Sequence, residues 1–169
     1  RFAAFELHIL ERPGAEKDYP ADVRAKAKAL YATFTQADID YLIMVIASAL
    51  PGSTTEPMTI PRFREKHREY AEIDEAVLRQ HLIEFLEAVC PRADELGVKL
   101  TLHPDDPPRP LFGLPRIAKS EADYQALFDA VPNASNGICF CTGSLGVNPI
   151  NDLVGMAERF GPRIHFAHL

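Results

Sequence analysis

An α/β fold built on a parallel sheet is what the sequence predicts, and three observations carry that prediction. Residues 98–168 alternate short apolar runs with amphipathic stretches in the order β-α-β-α-β, the pattern of parallel strands joined by helical crossovers. The three runs end in His103, Cys141 and His168, which are 38 and 27 residues apart, each about one β-α unit. Apolar residues make up 47% of the 169 and charged residues 25%, a globular composition with enough chain to bury a core. A (β/α)8 barrel and an open sheet both satisfy this pattern. In either, chemistry gathers at the C-terminal ends of the strands.

The first half reads as mostly helical. Phe2 to Leu10 is short and apolar and reads as a strand end or a loop, broken by Arg12-Pro13-Gly14. Asp22 to Phe34 is rich in Ala and Lys and predicts a helix. Thr35 followed by Asp38 is an N-cap with a first-turn acid, opening a second helix that Leu50-Pro51-Gly52 ends. Ile60 to Tyr70 predicts a short charged helix with Pro61 near its start. Asp74 caps the longest helix, whose apolar face is Leu78, Leu82, Phe85 and Val89. Pro91 is expected to kink or break it, and Leu96-Gly97 to stop it.

In the second half, Val98 to His103, Gly137 to Cys141 and Arg163 to His168 read as strands. Ser120 to Val131, with Ser120 and Asp123 in capping positions, and Asn151 to Phe160 read as helices. Five of the 14 prolines fall between Pro104 and Pro115, which marks a rigid, shaped loop.

Composition excludes several classes of function. The chain carries 24 acidic against 18 basic residues, a net charge of −6, so nucleic acid is not the expected partner. The longest strongly apolar run, Tyr41 to Leu50, is about half the roughly 20 residues of a membrane span, so neither is a membrane. Three cysteines make an odd set without C-x-x-C spacing, which argues against a disulfide framework and for a reducing cytoplasm. The chain opens on Arg1 and closes on Leu169 straight after an apolar run, so a piece of a longer protein is expected.

Three successive parallel strands ending in His103, Cys141 and His168 would deliver imidazole, thiolate and imidazole to one rim, all good ligands for a transition metal. Strand alternation puts His103 with Thr101 and Lys99, and Cys141 with Cys139. It sets His168 with Ile164 and Phe166 and turns His165 the other way, and by itself does not choose between the two histidines. The loop His103-Pro-Asp-Asp-Pro-Pro-Arg-Pro110 offers Asp105 and Asp106 for proton transfer and Arg109 for a substrate carboxylate. The bland alternative is a solvated loop. Cys141-Thr-Gly-Ser-Leu-Gly146 reads as a flexible turn whose Thr142 and Ser144 hydroxyls can bind sugar hydroxyls, and it lacks the lysine of a phosphate-binding loop. His8, close to Glu6, is a further candidate for substrate, with a structural role as its alternative. His67 and His81 read as surface residues.

Six stretches resemble the mannonate dehydratases: Phe2 to Leu10, Arg12-Pro-Gly-Ala15, His103 to Pro110, Gly113-Leu-Pro-Arg-Ile117, Cys141-Thr-Gly-Ser144 and Phe160 to Leu169. They run from one end of the chain to the other. The resemblance implies a xylose-isomerase-like TIM barrel, (β/α)8, of which this chain is a central part. It would form a single partial domain over 1–169, with a helical excursion over about 18–70 and a β-α-β-α-β segment over 98–169. It implies Fe2+ or Mn2+ on His103, Cys141 and His168, with a further aspartate ligand beyond Leu169, so that the 169 residues alone are expected to bind metal poorly. The implied reaction is dehydration of D-mannonate to 2-keto-3-deoxy-D-gluconate in hexuronate (glucuronate) catabolism, the metal stabilising the enediolate formed when the C2 proton leaves. A homo-oligomer is compatible with the resemblance. The rival readings are a sugar isomerase or epimerase on the same barrel, and a metal-free binding or structural module.

Overall fold

The computed structural model describes residues 1–47 and 59–169, in two compact units, Arg1–Glu72 and Ile73–Leu169. Among the described residues no helix is long and apolar enough to cross a membrane. The expected helix stop at Leu50-Pro51-Gly52 lies outside them.

The first unit is helical. Phe2–His8 forms α1, not the strand end or loop expected. Ala3, Ala4, Glu6 and Leu7 are strong helix formers, and Ala4 and Phe5 are buried. A local apolar run cannot by itself separate the two periods. Gly14, at a φ of 80°, turns the chain into one 3-10 turn over Ala15–Lys17. Then come α2 (Ala21–Tyr31), α3 (Gln36–Ala47) and α4 (Ile60–Glu69). The Thr35 hydroxyl accepts from the Asp38 N–H at 3.2 Å, as the predicted N-cap, and the Asp38 carboxylate accepts from the Thr35 N–H at 2.9 Å, which makes the cap reciprocal. Glu6 is only 2% exposed, and its carboxylate accepts from Arg12 and from the Tyr19 hydroxyl. A buried charge is tolerable only when paired in this way.

The second unit opens with α5 (Glu75–Leu96), capped by Asp74, whose carboxylate accepts from the Val77 N–H at 2.9 Å. Of the kink or break expected at Pro91, the break does not occur, and the helix runs on to Gly97 at a φ of 67°. A proline removes one helical N–H, and the buried side chains on both sides, Leu86, Cys90 and Ala93, hold the helix against its neighbours. The packed stripe is Leu82, Leu86 and Cys90; Phe85, expected on the apolar face, is 58% exposed. The two stripes share Leu82 and diverge by the choice of a three- or four-residue step.

Strands β1 (Leu100–Leu102), β2 (Asn136–Cys141) and β3 (Ile164–His168) form a parallel sheet in the order β1-β2-β3. The connections are helical: α6 (Glu121–Ala130) between β1 and β2, and α7 (Thr142–Gly146) with α8 (Leu153–Phe160) between β2 and β3. One face of the sheet, Ile138 and Phe140 with Ile164, packs on Tyr124, Phe128, Met156 and Phe160 of α6 and α8. Leu100 and Leu102 meet Leu86 and Cys90 of α5. Ser120 and Asp123 form the expected capping box, and Asp123 also receives Arg79 at 2.9 Å. The α/β class with a parallel sheet and helical crossovers is therefore present as expected.

A β-bulge alters the third strand. Ile138 pairs with Ile164 but Cys139 pairs with Phe166, so His165 is an extra residue. Strict alternation along β3, as expected from the sequence, does not hold: Ile164 packs into the core while Phe166 is 57% exposed. The bulge brings His168 into register with Cys141.

Candidate metal centre

Three donor atoms, one each from His103, Cys141 and His168, lie within 4.8 Å of one another. Each is delivered by the C-terminal end of a strand. His103 follows β1, Cys141 is the last residue of β2 and His168 the last of β3. Parallel pairing with Leu102 against Ile138 and Cys141 against His168 sets the three ends side by side.

The orientation of each donor has a visible cause. The Nδ1 of His103 is 2.7 Å from the Pro104 carbonyl oxygen. A carbonyl can only accept, so Nδ1 carries the proton and Nε2 keeps its lone pair. A bond of that kind is what fixes the tautomer of a ligating histidine. The His103 and His168 rings stand 6.2 Å apart, tilted by 55°. His168 presents Nδ1 at 3.5 Å from the Cys141 sulfur. His165, the competing histidine, is elsewhere: its ring lies over Gly137 near the start of β2, with Nε2 at 3.0 Å from the Ala134 carbonyl oxygen.

Two cysteines two residues apart behave oppositely. Burial pushes the Cys139 thiol up, and its neighbour Cys141 adds to this. The Cys141 thiol is pulled down to about 6 by the Ser144 hydroxyl and the Ser144 backbone N–H, aided by His103 and His168, against burial that raises it. The Cys141 sulfur and the Ser144 oxygen are 3.3 Å apart. Ser144 sits in the first turn of α7, so the segment expected to be a flexible turn is a short helix. That helix, started directly from the strand end, aims both Thr142 and Ser144, with Ser144 buried and Thr142 half-buried.

The two aspartates divide. Asp105 faces the loop: its Oδ2 accepts from the Ile117 and Ala118 N–H groups, each at 2.8 Å, and Arg116 lies 3.4 Å from Oδ1. Asp106 is exposed and accepts from the Ser144 hydroxyl at 3.3 Å. The structure thus joins Asp106, Ser144, Cys141, His168 and His103 into one cluster and sets Asp105 to holding the loop in shape. Arg109 lies exposed in the same proline-rich loop. His8 belongs to the first unit, where its ring stacks on Tyr31 at 5.1 Å. What sequence reasoning missed is the bulge at His165 and the role of Gly137 beneath it. A glycine facing a histidine across two strands is a signal visible only once the register is known.

A parallel α/β sheet whose neighbouring strand ends gather two imidazoles and a low-pKa thiol defines a class of α/β chain with a transition-metal type of donor set. The chain belongs to the D-mannonate dehydratase (UxuA) family, whose model matches residues 15–169. It is 67% identical over 169 residues to a mannonate dehydratase of Brucella canis, covering all of this chain and 42% of that relative. It is 52% identical over 168 residues to a mannonate dehydratase of Chromohalobacter salexigens, covering 43% of it. The chain therefore spans less than half the length of these curated relatives. Among solved structures it is similar to the mannonate dehydratase of Streptococcus suis serotype2, at 40% identity and a TM-score of 0.55, over 57% of this chain and 28% of that one.

Proposed function

We propose that the protein to which this chain belongs is a cytoplasmic, metal-dependent hydro-lyase that converts D-mannonate to 2-keto-3-deoxy-D-gluconate and water. In this reading residues 98–169 supply three successive strands of a xylose-isomerase-like (β/α)8 barrel, whose C-terminal rim carries the chemistry. The observation that carries the proposal is the convergence of His103, Cys141 and His168 within 4.8 Å in a chain of the D-mannonate dehydratase family.

The donor set fits a transition metal. Two imidazole nitrogens and a sulfur that is readily ionised are ligands for a borderline-to-soft cation, and the thiolate favours Fe2+ over Mn2+. A divalent ion held there supplies Lewis acidity toward the carboxylate and a hydroxyl of the substrate. The chain's own groups do the rest. Pro104 holds the His103 ring in the ligating tautomer. Ser144 holds Cys141, and the Asp105 carboxylate fixes the loop that follows His103. Asp106 is the carboxylate at the rim, placed to receive a proton. Arg109 is assigned to the substrate carboxylate and Thr142 to a hydroxyl. The balance is simple: C2 loses a proton, the C3 hydroxyl leaves with a proton as water, and the resulting enol takes a proton at C3 while its C2 hydroxyl gives one up, becoming the C2 ketone.

The test is a keto-acid assay on the full-length protein with D-mannonate. A 2-keto-3-deoxy product that disappears on chelation and returns with Fe2+ or Mn2+ is expected. An isomer or epimer of mannonate with no loss of water would overturn the assignment.

A further inference from the structure

The Ser144 hydroxyl faces two polar groups at the same distance. Its oxygen is 3.3 Å from the Cys141 sulfur and 3.3 Å from Asp106 Oδ2. A metal-bound thiolate and a carboxylate can only accept, and a serine hydroxyl has one proton, so in the metal-loaded site it can donate to only one of them at a time. Ser144 is 4% exposed and sits in the first turn of α7, fixed by the backbone that also carries Cys141. Water has little access to stand in for the missing donor. Whichever acceptor holds the proton, the other must find a different partner. For a carboxylate at the rim that partner is solvent; the sulfur keeps the Ser144 backbone N–H and would give its lone pair to a bound cation.

We propose that Ser144 is a positioning residue that couples Asp106 to Cys141 through its single hydroxyl proton. With the hydroxyl proton directed at Asp106, the carboxylate is held at the edge of the metal centre and the sulfur faces the metal with one hydrogen bond fewer, that from the Ser144 hydroxyl. Replacing Asp106 by a group that accepts less strongly sends the proton to the sulfur, which then gives less electron density to the metal. This internal role is separate from the sugar-hydroxyl role expected for Ser144 from the sequence. The inference rests on the metal site proposed above.

The experiment uses the full-length protein loaded with Co2+, whose thiolate-to-metal charge-transfer band reports the sulfur directly. Four proteins are compared: the parent, Asp106→Asn, Ser144→Ala and the double variant. Alanine is a better helix former than serine, so Ser144→Ala keeps α7. Asp106→Asn is expected to shift the band to shorter wavelength, and the shift is expected to vanish in the Ser144→Ala background. Such non-additivity is the mark of two groups acting through one another. An equal shift in both backgrounds, or none in Asp106→Asn, overturns the coupling while leaving the metal site standing. Absence of a thiolate band in the parent overturns the metal site and the coupling together.

Discussion

Gly137 in β2 has no room for a side chain. A Cβ there would meet the His165 ring, at 2.1 Å from Cδ2 and 2.6 Å from Nε2, and the Arg163 carbonyl oxygen at 2.6 Å. The imidazole can rotate away, but only by giving up its contact with the Ala134 carbonyl at 3.0 Å. The Arg163 oxygen is backbone and moves only with β3. Overpacking of this kind costs about 1–3 kcal/mol and a lost hydrogen bond about 1, so Gly137→Ala is expected to destabilise the full-length protein by about 2–4 kcal/mol. The urea midpoint at unchanged m-value measures this. Because β3 also carries His168, the variant is expected to weaken metal binding in step. The double variant Gly137→Ala, His165→Ala removes the ring and is expected to recover only part of the loss, since the Arg163 oxygen remains. A loss below about 0.5 kcal/mol, the usual range of a surface substitution, would refute the packing argument.

Other perturbations follow from the same geometry. Asp123→Ala removes the α6 capping box and the Arg79 ion pair at 2.9 Å, and is expected to cost about 2 kcal/mol in chemical denaturation. Asp105→Ala strips two backbone N–H groups of their acceptor and is expected to cost about 2–3 kcal/mol, with faster hydrogen exchange at Ile117 and Ala118. Bonds from Asn133 and Ser135 hold the Asp94 carboxyl below its ordinary value of 3.8. Its native pKa is lowered, so its contribution is present above that ordinary value and is lost as pH falls through the native one. Asp94→Asn is accordingly expected to flatten the acid side of the stability profile, and an unchanged profile would contradict the assignment.

Much of this was legible in the sequence because the signals are local. The caps at Thr35, Asp74 and Ser120 and the αL stop at Gly97 depend on residues within one turn of each other, and they stand where expected. That three strand ends carrying His103, Cys141 and a third-strand histidine meet was legible from spacing, since one β-α unit returns the chain to the same rim of a parallel sheet. The features that were not legible depend on distant partners. Helix α1 follows from burial of Ala4 and Phe5, and the continuity of α5 through Pro91 from packing on Leu127 and Val131. The difference between His165 and His168 follows from one inserted residue in the β2–β3 register. The separation of Asp105 from Asp106 follows from where the chain at Ile117 and Ala118 passes.

The central claim is that a divalent metal sits on His103, Cys141 and His168. Metal content of the full-length protein, purified with Fe2+ and compared with His168→Ala and His165→Ala, tests it most directly. The account predicts about one metal per chain in the parent and in His165→Ala, and a large loss in His168→Ala. Full metal content in His168→Ala, or equal loss in both histidine variants, would contradict it.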